Sequence, residues 1–286
     1  MLLMPTYERN HPALRFLRQS FKFGLIALLA AWSLFPIVWN IMTSFKSRSE
    51  IFSIPPTFLF IPNTEAWQQA LTPGSRSVYP TLTNSLVVSV GTTVLTLVVS
   101  SLGAYAFARY KFRGKLVIFS SMLATRLLPP IAAVVPLFHM MRQAGLIDTY
   151  LVLILIYSAL HAPFAIWLLK SFIESVPTEL EESARVEGCN TIQAFRHVTL
   201  PLIVPGLAST AAFVFILAWN EFMYAFLFTT MNVRTLPVKL SEVRGESIVA
   251  WQDMAAQSTI LMIPTFILAL YLQKYLVKGL TQGSVK

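Results

Sequence analysis

Five carboxylates, Glu174, Glu179, Glu181, Glu182 and Glu187, fall within fourteen residues and are opposed there only by Arg185. The chemistry such a cluster offers is electrostatic. Its net charge of −4 is repelled by anionic lipid headgroups, so the stretch turns towards water or towards a protein. Thr178-Glu-Leu-Glu181 fits a capping box with Pro177 just upstream, which predicts a helix starting there. Gly188 is placed to stop that helix in the left-handed conformation. Asn190 or Thr191 can cap a second short helix, expected to end before Pro201. Leu180, Ala184 and Gly188 recur every four residues, giving one small apolar face with carboxylates on its flanks. A merely solvated helical hairpin is the bland alternative.

A second set of candidates stands in apolar surroundings. Arg126 lies about ten residues, roughly 15 Å, inside an apolar run, where an isolated cation costs at least about 2.5–3.5 kcal/mol. It must face protein or a water-filled path. Pro129–Pro130 beside it free backbone carbonyls, as broken helices at transport sites do. Helix packing with the guanidinium reaching inward accounts for Arg126 equally well. Trp219, Asn220, Glu221 and Tyr224 suit a sugar, because rings stack on pyranose C–H faces while amide and carboxylate bond hydroxyls. For the two aromatics the competing reading is a belt at the membrane interface. Glu221 lies about 28 Å along its span, too far in depth from Arg126 for a salt bridge without strong tilts or a broken helix, though the two can share an aqueous cavity. His161 reads as a packed polar residue, and Cys189 is assigned no role. The four histidines lack metal-ligand spacing and the single cysteine excludes an internal disulfide, so no metal or cofactor is expected on this chain.

What must position these groups is a chain dissolved in lipid. Of 286 residues, 55% are hydrophobic and only 12% charged, about half the charge of a soluble domain. The net charge of +9 fits loops that fix topology, and no nucleic acid is expected. A basic segment 1–22 precedes a first span within 23–46, too long for a signal-peptide core. Pro36 and Asn40 there predict a kinked helix packed among neighbours. Prolines then break 47–81 into a loop with a short helix near Glu65–Leu71. The core 82–277 holds five further apolar runs, about 84–108, 116–141, 149–169, 202–228 and 254–273, and 278–286 forms the tail. Each run of about 20 residues suffices to cross a bilayer. With the N-terminus inside, inner segments hold 14 Lys and Arg against 7 outside. Both termini and the loop 174–205 are therefore expected in the cytoplasm, and 47–81 outside.

Glu182-Ser-Ala184-Arg-Val-Glu187-Gly188, nine residues, then Val198-Thr-Leu200-Pro201 closely resembles the EAA loop of bacterial ABC-importer permeases. That pattern reads roughly E-A-A, three residues, G, nine residues, I-x-L-P; Ser183 and Val198 depart from it mildly. AWNEFMYAF (218–226) and the tail LQKYLVKGLTQGSVK are similar to the carbohydrate-uptake branch, specifically its smaller maltose-type permease subunit. The resemblance implies an all-α membrane protein with six transmembrane helices, the type I ABC-importer permease fold, and a cytoplasmic coupling helix between spans four and five. It implies a bacterial inner-membrane location, sugar as cargo and transport by alternating access. Its implied partners are a second permease subunit, two ATPase subunits carrying ATP and Mg, and an external solute-binding protein. On this reading Leu180, Glu182, Ala184, Glu187, Gly188 and Pro201 couple to the ATPase, while Arg126, Trp219, Asn220, Glu221 and Tyr224 line the substrate path. The chain has no Gly-x-x-x-x-Gly-Lys-[Ser/Thr]; Gly114-Lys115 is followed by leucine, so any ATP hydrolysis belongs to another chain and this one is no enzyme. A secondary transporter would want an intramembrane carboxylate better placed than Glu221. A non-transporting scaffold leaves Arg126 and the broken spans unexplained.

Overall fold

The computed structural model describes residues 12–74, 76–242 and 250–282. Among the described residues the chain is helix and connecting turn, without a strand. They fall into two compact units, one formed by the chain up to Ala70 with Ala250–Thr259, the other by the chain from Leu71 and again from Ile260.

The first unit contains helix α1 (Pro12–Thr43), α2 (Arg48–Ile51), α3 (Glu65–Leu71) and the opening turns of α14 (Trp251–Gln282). Residues 18–43 of α1 form a candidate membrane span, and the helix continues through Pro36. Side chains 18–36 are all exposed, so the expected packing among neighbours is confined to the last turns. Asn40 shows why it is tolerated in an apolar helix. Its amide donates to Thr259 Oγ1 (3.1 Å) and the Ala255 carbonyl (3.3 Å) and accepts from Ser258 Oγ (3.1 Å), leaving little polarity unmatched in lipid. Beyond it Lys46, 3% exposed, holds its ammonium 4.3 Å from the Trp39 ring centroid and 5.3 Å from that of Phe60. That cation–π contact stands in for water. Helix α3 forms where the sequence placed it.

In the second unit α4 (Tyr79–Arg109), α7 (Tyr150–Glu174) and α11 (Val204–Trp219) pack side by side. Lipid gives apolar helices no hydrophobic reason to associate, so close backbone approach through small residues does the work. Ser85, Ser89, Thr92, Thr96 and Ser100 form a buried row along α4. Gly91 of α4 meets Ile154 of α7, where a Cβ would lie 2.6 Å from Ile154 Cδ1. Gly206 of α11 meets the Phe172 ring more closely still. Leu153, Tyr157, Leu169, Ile173 and Val214 are fully buried in this core.

Two crossings are broken. Helix α5 (Lys115–Ala124) passes through a 3-10 turn, Thr125–Leu127, and α6 (Pro130–Gln143) leaves it bent by 98°. The cause is local. Each proline forces its predecessor out of the helical region, so Leu128 (ψ 132°) and Pro129 (ψ 128°) are extended, and Pro130 then starts α6 from its preset φ. The run 202–228, expected as one span, is a separate helix up to Trp219, an interruption at 220–222, and α12 (Met223–Phe228). Among the described residues four helices are long and apolar enough to cross a membrane, or up to six crossings if each bent pair counts as one, the second pair being Thr191–Leu202 with Val204–Trp219, bent by 78° at Ile203.

At the N-terminal end of α4 the connecting segments are clamped by polar side chains. Asp148, just before α7 and at φ 60°, accepts from Thr230 Oγ1 (2.7 Å) and from the backbone N–H groups of 230–233. Burial works against its charge, but these donors outweigh it and hold the carboxyl well below the usual carboxylate range. Asn84 adds a second clamp, donating to the Asn232 and Arg234 carbonyls and accepting from Tyr150 Oη. The short helix α13 (Leu236–Glu242) follows, and its Leu236 N–H donates to Ser85 Oγ (2.8 Å) on α4.

Candidate functional site

The acidic loop folds as α8 (Thr178–Val186), α9 (Thr191–Ala194), a π turn Phe195–Thr199, and α10 (Leu200–Leu202). The expected capping box does not form: Pro177 occupies the N-cap, Thr178 is already helical, and the first turn has no side-chain cap. Glu181, which that box would have used, is engaged elsewhere. The stop is as the sequence predicts. Gly188 sits at φ 96°, its N–H bonds the Arg185 carbonyl (3.0 Å), and Cys189 N–H reaches back to Ala184 O (3.0 Å). This is a Schellman motif. Asn190 caps α9 reciprocally with Gln193. The second helix does not end before Pro201 but runs through it to Leu202. Proline excludes the carbonyl four residues back. The wider π turn just before it, in which Leu200 N–H bonds Phe195 O, carries the helix past.

Glu181 is the hub of this loop, although the sequence pattern points to its exposed neighbour Glu182. Its side chain is 3% exposed. Its carboxylate accepts from Thr199 Oγ1 (2.7 Å), Tyr105 Oη (2.8 Å) and Arg109 Nε (2.8 Å), and Arg109 Nη2 donates to the Val176 carbonyl (2.8 Å). One buried carboxylate thus pins α8, the π turn and the last turn of α4 together. Burial pushes its pKa up, but the Thr199, Tyr105 and Arg109 donors outweigh that and hold the carboxyl below its usual value. Tyr105 and Arg109, one turn apart where α4 enters a loop, are the sequence signal that could have pointed to it.

The remaining loop residues divide by exposure. Ala184 is buried within this chain, so it packs the loop onto its own core and is not open to a partner. Leu180, Val186 and Ile192 are exposed apolar side chains, and Glu179, Glu182, Glu187 and Pro201 are exposed around them.

Arg126 and Glu221, expected at different depths, line one cavity of about 690 Å3 because both helices that carry them are broken there. Tyr224 and His161 line it as well. Arg126 places its guanidinium 5.5 Å from the Phe164 ring centroid and, among the described residues, has no carboxylate at ion-pair distance. Glu221 accepts the Tyr224 (3.0 Å) and Ala225 (3.2 Å) backbone N–H groups, satisfying the first turn of α12. Tyr224, 2% exposed, donates its hydroxyl to the Pro130 carbonyl (3.2 Å), tying one broken helix to the other. Trp219 and Asn220 lie outside the group expected of them. Trp219 is 1% exposed, stacked on Phe215 and bonded through Nε1 to Leu261 O (2.9 Å). Asn220 bonds back to Ile216 O (2.8 Å), ending α11. Burial of Trp219 and Tyr224 also excludes the interfacial-belt reading.

Apolar helices, two of them broken around a cavity, with a rigid polar loop buttressed by the end of a span, define an integral membrane transport subunit. Residues 98–282 match the family described as binding-protein-dependent transport system inner membrane component, and the chain belongs to that family. It is 37% identical over 267 residues to the trehalose/maltose transport system permease protein of Thermococcus litoralis, covering 91% of this chain and 94% of that one. It is 34% identical over 267 residues to the sulfoquinovosyl glycerol transport system permease protein of Agrobacterium fabrum, covering 93% of each. Its fold is that of a chain of a bacterial ABC transporter involved in the import of the acidic polysaccharide alginate, with a TM-score of 0.73, 21% identity, and coverage of 96% of this chain and 99% of that one. The chain is an ABC-importer permease, a membrane component and not an enzyme.

Proposed function

We propose that this chain forms half of the translocation path of an ATP-driven sugar importer and receives the mechanical stroke through the loop 174–205. The observation that carries the coupling role is the buried Glu181–Arg109 pair. It makes the loop a rigid extension of α4, so a force applied to α8 reaches the spans and is not absorbed by a flexible tether. The exposed Leu180, Val186 and Ile192, rimmed by Glu179, Glu182 and Glu187, suit an apolar cleft with a basic edge. The partner is an ATPase that supplies ATP and Mg; Gly188 and Pro201 shape the loop, and Ala184 anchors it from inside. Excess Lys and Arg on that side supports a cytoplasmic loop and cytoplasmic termini.

The second half of the path comes from a second permease subunit, beside two ATPase subunits and an external solute-binding protein. Cargo is a glycoside, as the transport names of the relatives in Thermococcus and Agrobacterium suggest. Arg126, Glu221 and Tyr224 are the candidate path residues on this chain. Trp219 and Asn220 act on it only through packing and helix termination.

Gly188→Val tests the coupling role. A residue with a Cβ at φ 96° costs about 1–2 kcal/mol, while nothing lies within 4 Å of the added atom. The loop should lose its stop without a clash. ATPase co-purification or ATP-dependent uptake should fall while membrane insertion persists. Normal uptake with normal assembly would refute the coupling role, and uptake driven by an ion gradient without ATP would refute the importer reading.

A further inference from the structure

The cavity between the broken helices has an unused donor set. His161 is 6% exposed, lines the cavity, and among the described residues neither ring nitrogen has a hydrogen-bond partner. A buried imidazole left bare costs free energy unless something visits it. Arg126 lines the same cavity with no carboxylate at ion-pair distance among the described residues. The other polar groups there are already committed, Glu221 to the Tyr224 and Ala225 N–H groups and Tyr224 Oη to Pro130 O. What remains is a fixed cation with five N–H donors and an imidazole, set in apolar walls that include Leu137 and Ile156.

Neutral sugar hydroxyls give and take hydrogen bonds in equal measure. They would leave the guanidinium without a counter-charge in contact, which is the costly state, because Glu221, the carboxylate lining the same cavity, is bonded to the Tyr224 and Ala225 N–H groups and among the described residues is not at ion-pair distance. An oxyanion on the cargo supplies both the charge and the acceptor oxygens, two of which the arginine fork can bond side by side. We propose that Arg126, assisted by His161, is a specificity site for an anionic group on the transported glycoside, a sugar carboxylate or sulfonate. The apolar walls take the C–H faces of the ring, while Arg126 reaches the cavity from the break in its span and His161 from the unbroken α7. This rests on the permease reading and adds the class of cargo.

The test uses the assembled transporter in nanodiscs, in a Cys189→Ser background with Ala133→Cys, a cavity-lining position, as reporter. The introduced thiol is reacted with an anionic (sulfonatoethyl) and a cationic (trimethylammonioethyl) methanethiosulfonate. Arg126→Gln should lower the anionic-to-cationic rate ratio about tenfold, the effect of one fixed charge at close range in a partly dry cavity. Arg126→Lys should keep the ratio. Methyl glucuronide should shield the reporter thiol at concentrations about tenfold lower than methyl glucoside, and that advantage should vanish with Arg126→Gln. His161→Leu should weaken shielding by the glucuronide with little change in the reagent ratio. Equal shielding by the two sugars, a ratio unmoved by Arg126→Gln, or a reporter thiol that neither reagent reaches would each overturn the proposal. ATP-dependent uptake and ATPase co-purification, read on the same preparation, report on the permease reading separately. A working importer that ignores the charge of its sugar refutes this inference alone.

Discussion

Removing the Glu181 carboxylate should destabilise the loop more than any change on its exposed face. Glu181→Ala deletes the acceptor for Thr199, Tyr105 and Arg109 at once. It also leaves Arg109, whose side chain is only 10% exposed, without its counter-charge. Stripping one partner from a buried pair costs about 3–5 kcal/mol, a large share of the roughly 5–15 kcal/mol that holds a typical fold. Glu181→Gln keeps the shape and one acceptor but not the charge, so about 1.5–3 kcal/mol should be lost. Glu181→Leu with Arg109→Met removes both charges and should recover most of the deficit, with a coupling energy of about 2 kcal/mol. The assay is thermal unfolding of the purified chain in detergent, read beside retention of the ATPase on a column. Acid adds an independent arm. The folded carboxyl titrates below its unfolded value. Its contribution is therefore complete above about pH 4.3 and is lost as pH falls through the lower, folded value. Glu181→Gln should flatten the stability curve in that acid range and leave it parallel to wild type at neutral pH. A loss under about 1 kcal/mol for Glu181→Ala, or strict additivity in the double variant, would refute the view that this pair stiffens the loop.

Other predictions test the frame around the site. Asp148→Asn tolerates the left-handed backbone but removes the charge that the Thr230 hydroxyl and the N–H groups of 230–233 bond. The melting temperature should fall by the equivalent of about 1.5–3 kcal/mol, and the wild-type advantage should vanish only in strong acid, because this carboxyl too is held low. Gly206→Ala drives a Cβ into the Phe172 ring, so α7 and α11 must part, at a cost of about 1–3 kcal/mol; an unchanged melt would show that the ring swings freely. Tyr224→Phe removes the hydroxyl that bonds Pro130 O, which should cost about 0.5–1.5 kcal/mol and alter transport kinetics without reducing assembly. Unaltered kinetics would take Tyr224 out of the path.

Much of the loop was legible because its signals are local. Gly188 stops α8 and Asn190 starts α9 for reasons confined to a few neighbouring residues, and Pro129–Pro130 break their span for the same kind of reason. Errors arose where a side chain had a more distant partner. Glu181 abandons the cap for Tyr105, 76 residues away in the chain, and Trp219 spends its indole on Leu261, 42 residues on. Composition alone does not tell a buried carboxylate from its exposed neighbour, since Glu181 and Glu182 differ only in which way a helix of nine residues is turned.

The sequence by itself determined the solvent, the helical class, the apolar runs and the loop that carries the family's pattern. Those follow from hydrophobic run length, charge placement and residues with restricted backbones, all properties that a segment carries wherever it packs. Only the tertiary structure decided which polar groups meet. Arg126 and Glu221 do share a cavity, because the helices that carry them are interrupted at 128–129 and at 220–222, yet among the described residues no ion pair joins them. Glu181 became the hinge pin of the loop because apolar burial leaves an ionised group no choice but to find its donors, however far along the chain they lie.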